Sequence, residues 1–201
     1  MKRSILSLFV FASTITSVNA QSINDVIESN PYTVDCMASR KCKEGVKKIN
    51  NISDISKFYP DGNFNNIANE FNKMISTLKK IGVEVFLGDK KYFPTNYRGI
   101  YSTRRNNFYL NEAYANNSIS LIRTMRHEGW HVAQDCKAGI DNMELELIMS
   151  DEIIPQPFTN FVEETYADEP RQIPYEKGAF FASFSKGLTQ TALEECARTL
   201  R

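Results

Sequence analysis

Apolar residues recur along this chain in two registers. Phe64, Ile67, Ala68, Phe71, Met74, Ile75 and Leu78 fall at spacings of three and four, the stripe of an amphipathic helix. Asp61-Gly62-Asn63 supplies a cap and Gly82 a stop, so the pattern predicts a helix from Asn63 to about Lys80. Val34, Ala38, Cys42, Val46 and Ile49 share that spacing and predict an earlier helix from Thr33 to Asn50. The register then changes to alternation. VEVFLGD (Val83 to Asp89) reads as a strand ending in a Gly88-Asp89 turn. GIYST (Gly99 to Thr103) and NFYLNE (Asn107 to Glu112) read as two strands joined across RRNN, so a small antiparallel sheet is expected.

A longer helix comes next. Ser118 or Ser120 is placed to cap it, and Lys137 with Gly139 to close it. Stepping about 100° per residue, Met125, Gly129, Val132, Ala133 and Cys136 fall on the side of Ile122. His127 and His131 fall about 140° and 180° away, with Glu128 flanking His131. One side should pack in a core and the other face a cleft. Further helices are expected at Asn142–Glu152, Pro174–Lys186 and Thr191–Leu200, the last with a Thr191/Glu194 capping box. Between Pro155 and Pro174 the prolines and the acidic run FVEETYADEP predict an irregular wall with one short helix. The fold class is α+β: N-terminal helices, a small antiparallel or mixed sheet, the histidine helix, then C-terminal helices.

The first twenty residues stand apart. Lys2 and Arg3 precede ILSLFVFA, and Val18-Asn19-Ala20 suits a cleavage site, which reads as a secretory signal peptide cut after Ala20. The rival reading, an N-terminal membrane anchor, is weakened by the polar STITSVN that comes after. Residues 21–201 then form a single domain carrying 22 basic and 24 acidic residues, a net charge of −2. That balance recommends neither nucleic acid nor an anionic membrane surface as a partner.

Four cysteines, Cys36, Cys42, Cys136 and Cys196, imply two disulfides in an exported chain. Six residues of helix separate Cα atoms by about 9 Å, beyond a disulfide's reach of about 7 Å. Cys36–Cys42 is therefore disfavoured unless the helix begins after Cys36. The other pairings would tie the N-terminal helix to the histidine segment and the C-terminal helix.

The chain has two histidines, and both lie in HEGWH. Residues four apart on a helix sit one turn apart, so both imidazoles can converge on one ion. Glu128 cannot comfortably ligate from the neighbouring position but can reach a water beside the ion and take its proton. Zinc is the expected cofactor.

With these residues the chain resembles the zincin metallopeptidases, over about Val83 to Ser185. The resemblance implies a zincin-like fold, with NFYLNE as the edge strand along the cleft, and hydrolysis of a peptide or protein substrate with Glu128 as general base. The metzincin branch requires Gly and His where Gln134 and Lys137 stand. No third histidine exists, so the third ligand should be a carboxylate, as in gluzincins. Glu176 in PYEKGAF resembles the P-x-E-x-E-A pattern of small gluzincin-like proteins, which also carry a glutamine at the place of Gln134. Gly178 departs from that pattern. Glu164 is the alternative, since Glu164 and Asp168 resemble the E-x-x-x-D of thermolysin-like enzymes. An oxyanion stabiliser is sought among Tyr166, Tyr175 and Arg171, with Tyr166 preferred. Two other readings stand beside the peptidase: a catalytically silent zinc-binding module, and a disulfide-stapled domain without metal.

Overall fold

The computed structural model describes Cys36, Met37, Cys42, residues 44–140 and residues 142–200. The expected signal peptide, its cleavage point and the start of the first expected helix lie outside these residues. Among the described residues there are seven α-helices and a four-stranded mixed sheet. The helices are α1 (Ile52–Phe58), α2 (Ala68–Ile81), α3 (Glu112–Ala115), α4 (Ser118–Ala138), α5 (Gln156–Thr165), α6 (Ile173–Phe184) and α7 (Leu188–Thr199). The strands are β1 (Val46–Lys48), β2 (Glu84–Gly88), β3 (Gly99–Ser102) and β4 (Asn107–Asn111).

The α2 stripe is the one the spacing predicts, with Phe71, Met74 and Leu78 fully buried. The helix starts five residues later than expected, because Asn63 turns the chain instead of capping it, accepting from the Asn65 N–H. It ends on Gly82 in the left-handed region at φ 89°, where a residue without Cβ is not penalised.

The sheet order is β1-β2-β4-β3: β1–β2 and β3–β4 are antiparallel, β2–β4 parallel. Alternation gives it two buried faces. Val85, Leu87, Phe108 and Leu110 enter the helical core, while Phe86 and Tyr109, stacked at 5.3 Å, cover Met37 and Tyr92 on the other face. NFYLNE is not the edge strand. β4 is paired on both sides and buried throughout, which leaves β3 at the edge.

The helix expected over Thr33–Asn50 does not run its length. Gly45 adopts φ +73° and β1 pairs with β2, Val46 opposite Gly88. An apolar spacing of three suits a strand whose two faces enter two cores as well as it suits a helix: Val46 packs on the smaller cluster and Ile49 in the larger. Without a continuous helix the objection to Cys36–Cys42 disappears. Their Cα atoms are 4.8 Å apart and the bond is formed, as is Cys136–Cys196.

Two further expectations change. Asn142–Glu152 holds only a 3₁₀ turn at Asp151–Ile153. The Asn142 side chain accepts from the Glu144 N–H and donates to the Ala138 carbonyl, the local competition by which asparagine favours turns. Helix α7 begins at Leu188 behind Gly187 (φ +85°), so Thr191 lies inside it, its hydroxyl bonded to the Gly187 carbonyl, and the capping box does not form. The short helix expected in the proline-bounded wall is α5.

Helix α4 sits at the centre, against α2, α6, α7 and β3. Gly129 is the reason it can: a Cβ there would stand 3.0 Å from Thr189 Cγ2 and 3.2 Å from Met74 Cε. The second disulfide fastens the end of α4 to α7. No helix among the described residues is long and apolar enough to cross a membrane, and two disulfides suit an oxidising compartment.

Candidate metal centre

Helix α4 starts not on a serine cap but on Asn117, whose side chain accepts from the Ser120 N–H. From that start the 3.6-residue period turns His127 and His131 toward the first turn of α6. Their Nε2 atoms lie 3.3 Å apart. Glu176 faces both, its Oε2 3.2 Å from His127 Nε2 and its Oε1 3.3 Å from His131 Nε2. One ligand atom from each residue falls within 4.8 Å of the others, so this group could hold a metal ion. Pro174, just inside α6, presents Glu176 here. Glu164 and Asp168, the rival carboxylates, are exposed and not part of the group.

The close approach of α6 to α4 comes from small residues. Ala179 and Ala182 pack on buried Trp130, and a Cβ at Gly178 would stand 2.8 Å from Trp130 Nε1. Gly178, the departure from the gluzincin-like pattern, is thus a packing requirement of this chain's tryptophan. Trp130 is a core residue at 1% exposure.

The histidines are oriented from behind. His131 Nδ1 lies 2.8 Å from Gln134 Oε1, while Gln134 Nε2 donates to the Tyr175 carbonyl. Because the amide nitrogen is spent on Tyr175, Oε1 must accept, so Nδ1 carries a proton and the Nε2 lone pair points at the centre. The Phe180 ring stands edge-on to His127 at 5.3 Å.

The electrostatics are those of a site built for a cation. Burial pulls His131 down, but the Glu176 carboxylate more than offsets it and lifts the imidazole to about 9. Glu176 is held below its ordinary range: burial raises it, and His131 and His127 outweigh that. Its Oε2 is buried and meets the His127 ring nitrogen at 3.2 Å outside hydrogen-bond geometry. Two imidazole nitrogens and a buried carboxylate thus converge closely enough to hold a metal ion.

Glu128 lies beside this group at 8% exposure. Its carboxyl is pushed up, first by burial and also by Glu176, against the opposing pull of both histidines and the Tyr101 backbone N–H. Gly99, opening the edge strand, makes room for it: a Cβ there would lie 2.8 Å from Glu128 Cγ. The Tyr101 hydroxyl donates to buried Asp135 at 2.5 Å, a second tie between β3 and α4.

Tyr166 ends α5 with its phenol pushed up by burial and then by the Glu176 charge. Tyr175 contributes its carbonyl, and Arg171 is exposed. Sequence reasoning missed Tyr97 and Phe180. Burial raises the Tyr97 phenol, as do Glu169, Glu176 and Glu128, which places it near the same carboxylates. It belongs to a loop held by Asn111 Nδ2, which donates to the Tyr97 carbonyl, and no periodicity marks such a residue. Phe180 was signalled by its spacing of four from Glu176.

No family model, curated protein or solved structure matches this chain. Its function must therefore be inferred from the chemistry of these residues.

Proposed function

We propose that the protein is an exported zinc-dependent peptidase of gluzincin-like type, with His127, His131 and Glu176 holding the metal. The supporting observation is the convergence of those three side chains, with the raised carboxyl of Glu128 alongside. Zinc, when bound, supplies a Lewis acid that lowers the pKa of water to about 7 and polarises a carbonyl.

The chain's own groups carry the proton. Glu128 takes one from the attacking water as the carbon–oxygen bond forms and passes it to the amine nitrogen as the carbon–nitrogen bond breaks. A carboxyl whose affinity for protons has been raised by burial performs both transfers better than an exposed one. The Tyr166 phenol, kept neutral by burial and hydrogen-bonded to Glu176, would turn to donate to the carbonyl oxygen as it gains charge. The free edge of β3 offers backbone groups with which an extended substrate can pair.

The test is Glu128→Gln. It should retain zinc and lose hydrolysis of a mixed peptide library by at least about 100-fold, the usual weight of a general base. Undiminished cleavage by this variant removes Glu128 from the mechanism. Stoichiometric zinc with no cleavage by the unaltered protein makes it a zinc-binding module, and no zinc after supplying it leaves a disulfide-stapled domain.

A further inference from the structure

The metal centre continues outward as a strip of aromatic rings. Phe180, beside His127, lies 4.8 Å from Phe161, and Phe158 lies 5.4 Å from both Phe181 and Phe184. None of these five rings is buried, and Phe161 and Phe184 are 49% and 47% exposed. A contiguous apolar patch of this kind marks a binding face.

Its rim is acidic. Residues 141–169 hold nine carboxylates and no lysine or arginine. Asp151 and Glu163 are answered by Lys177, and Glu146 by Lys137. Glu164, Asp168 and Glu169 have no ion pair among the described residues. Glu164 comes three residues after Phe161 on α5, and so borders the strip. Glu169 follows the end of α5, its N–H bonded to the carbonyl of Tyr166, the tyrosine that meets Glu176.

We propose that this strip and its rim dock an amphipathic, cationic polypeptide, its apolar side chains on the phenylalanines and its lysines or arginines against Glu164, Asp168 and Glu169. Contiguity with His127 makes that polypeptide the substrate. This role rests on the peptidase reading; the docking itself does not require turnover. An anionic amphipathic chain meets repulsion at the same rim.

The test measures binding and cleavage separately. Two fluorescent twenty-residue peptides, one of leucine, phenylalanine and lysine and one with glutamate for every lysine, are titrated into zinc-loaded Glu128→Gln protein by anisotropy. The lysine peptide should bind at least about tenfold tighter, an advantage that shrinks as salt is raised. Phe161→Ser with Phe184→Ser, both surface changes, should weaken it about tenfold, as loss of aromatic anchors does. Glu164→Gln with Glu169→Gln should erase most of the preference between the two peptides. Equal binding of both peptides, or indifference to the phenylalanine changes, overturns the proposal. So does phenylalanine-dependent sedimentation with phosphatidylcholine vesicles without peptide binding, which makes the strip a membrane face. Selective binding with no cleavage by the unaltered protein sinks the peptidase reading and leaves the docking face standing. Cleavage of both peptides at equal rates does the opposite.

Discussion

The two sides of helix α4 are both buried, and they are buried at different cost. The back, with Met125, Gly129 and Val132, meets α2 and α7 through aliphatic contacts that need nothing further. The front carries His127, Glu128 and His131, whose partners are other titratable groups. Packing completes the first side. The second is complete only when something positive sits among its lone pairs, a proton at His131 or a metal ion. One helix thus holds a region whose stability ignores pH and metal and a region whose stability depends on both.

Changes at the front should separate the two most sharply. Glu176→Ala should abolish zinc retention on dialysis while leaving the fold, read by far-ultraviolet circular dichroism, in place. Zinc retained at full stoichiometry would show that the centre lies elsewhere. Gln134→Leu keeps the ligands but frees the His131 ring, and zinc affinity by competition titration should fall about 10–100-fold.

The back answers in stability. Gly129→Leu drives a side chain into Thr189 and Met74 and should cost about 1–3 kcal/mol in denaturant unfolding, the range for overpacking. The loss should be the same with and without zinc once zinc's own stabilisation is subtracted. If it depends on zinc, the two sides are coupled and the contrast fails.

The smallest effect is in pH. In metal-free protein His131 stands at about 9, above its ordinary 6.5. Its contribution is whole below about 6.5 and is lost as pH rises through about 9. Glu128, raised from 4.5, also loses stability on the alkaline side. Glu176, held low, contributes above its ordinary 4.5 and loses it as pH falls. Metal-free protein should therefore melt highest between about pH 5 and 6.5 and lower toward pH 9. With zinc in place the alkaline decline should flatten, because His131 no longer has a proton to lose. Parallel melting curves against pH in both forms check this.

Local order was legible in the sequence. The apolar stripe of α2, the alternation of β2, β3 and β4, and the two sides of α4 come from a period that each segment carries within itself. So does the geometry of His127, Glu128 and His131, since three positions on one helix need no other part of the chain. Glu176 was legible in part, through the resemblance of PYEKGAF to the gluzincin-like pattern.

The remainder depends on residues far apart in the chain. The spacing of Val46 and Ile49 suits a helix as well as a strand, and only pairing with β2 chose the strand, which in turn allowed Cys36 to reach Cys42. Which of β3 and β4 lies at the edge is a property of the assembled sheet. Tyr97 and the phenylalanine strip gain their meaning from neighbours that no local period connects. The chain by itself determined which side chains can share a helix face, because the backbone repeat is a short-range matter. Which carboxylate faces the histidines, and which rings surround them, was decided only when α6 packed on α4, because those distances are set by the contacts of separate elements.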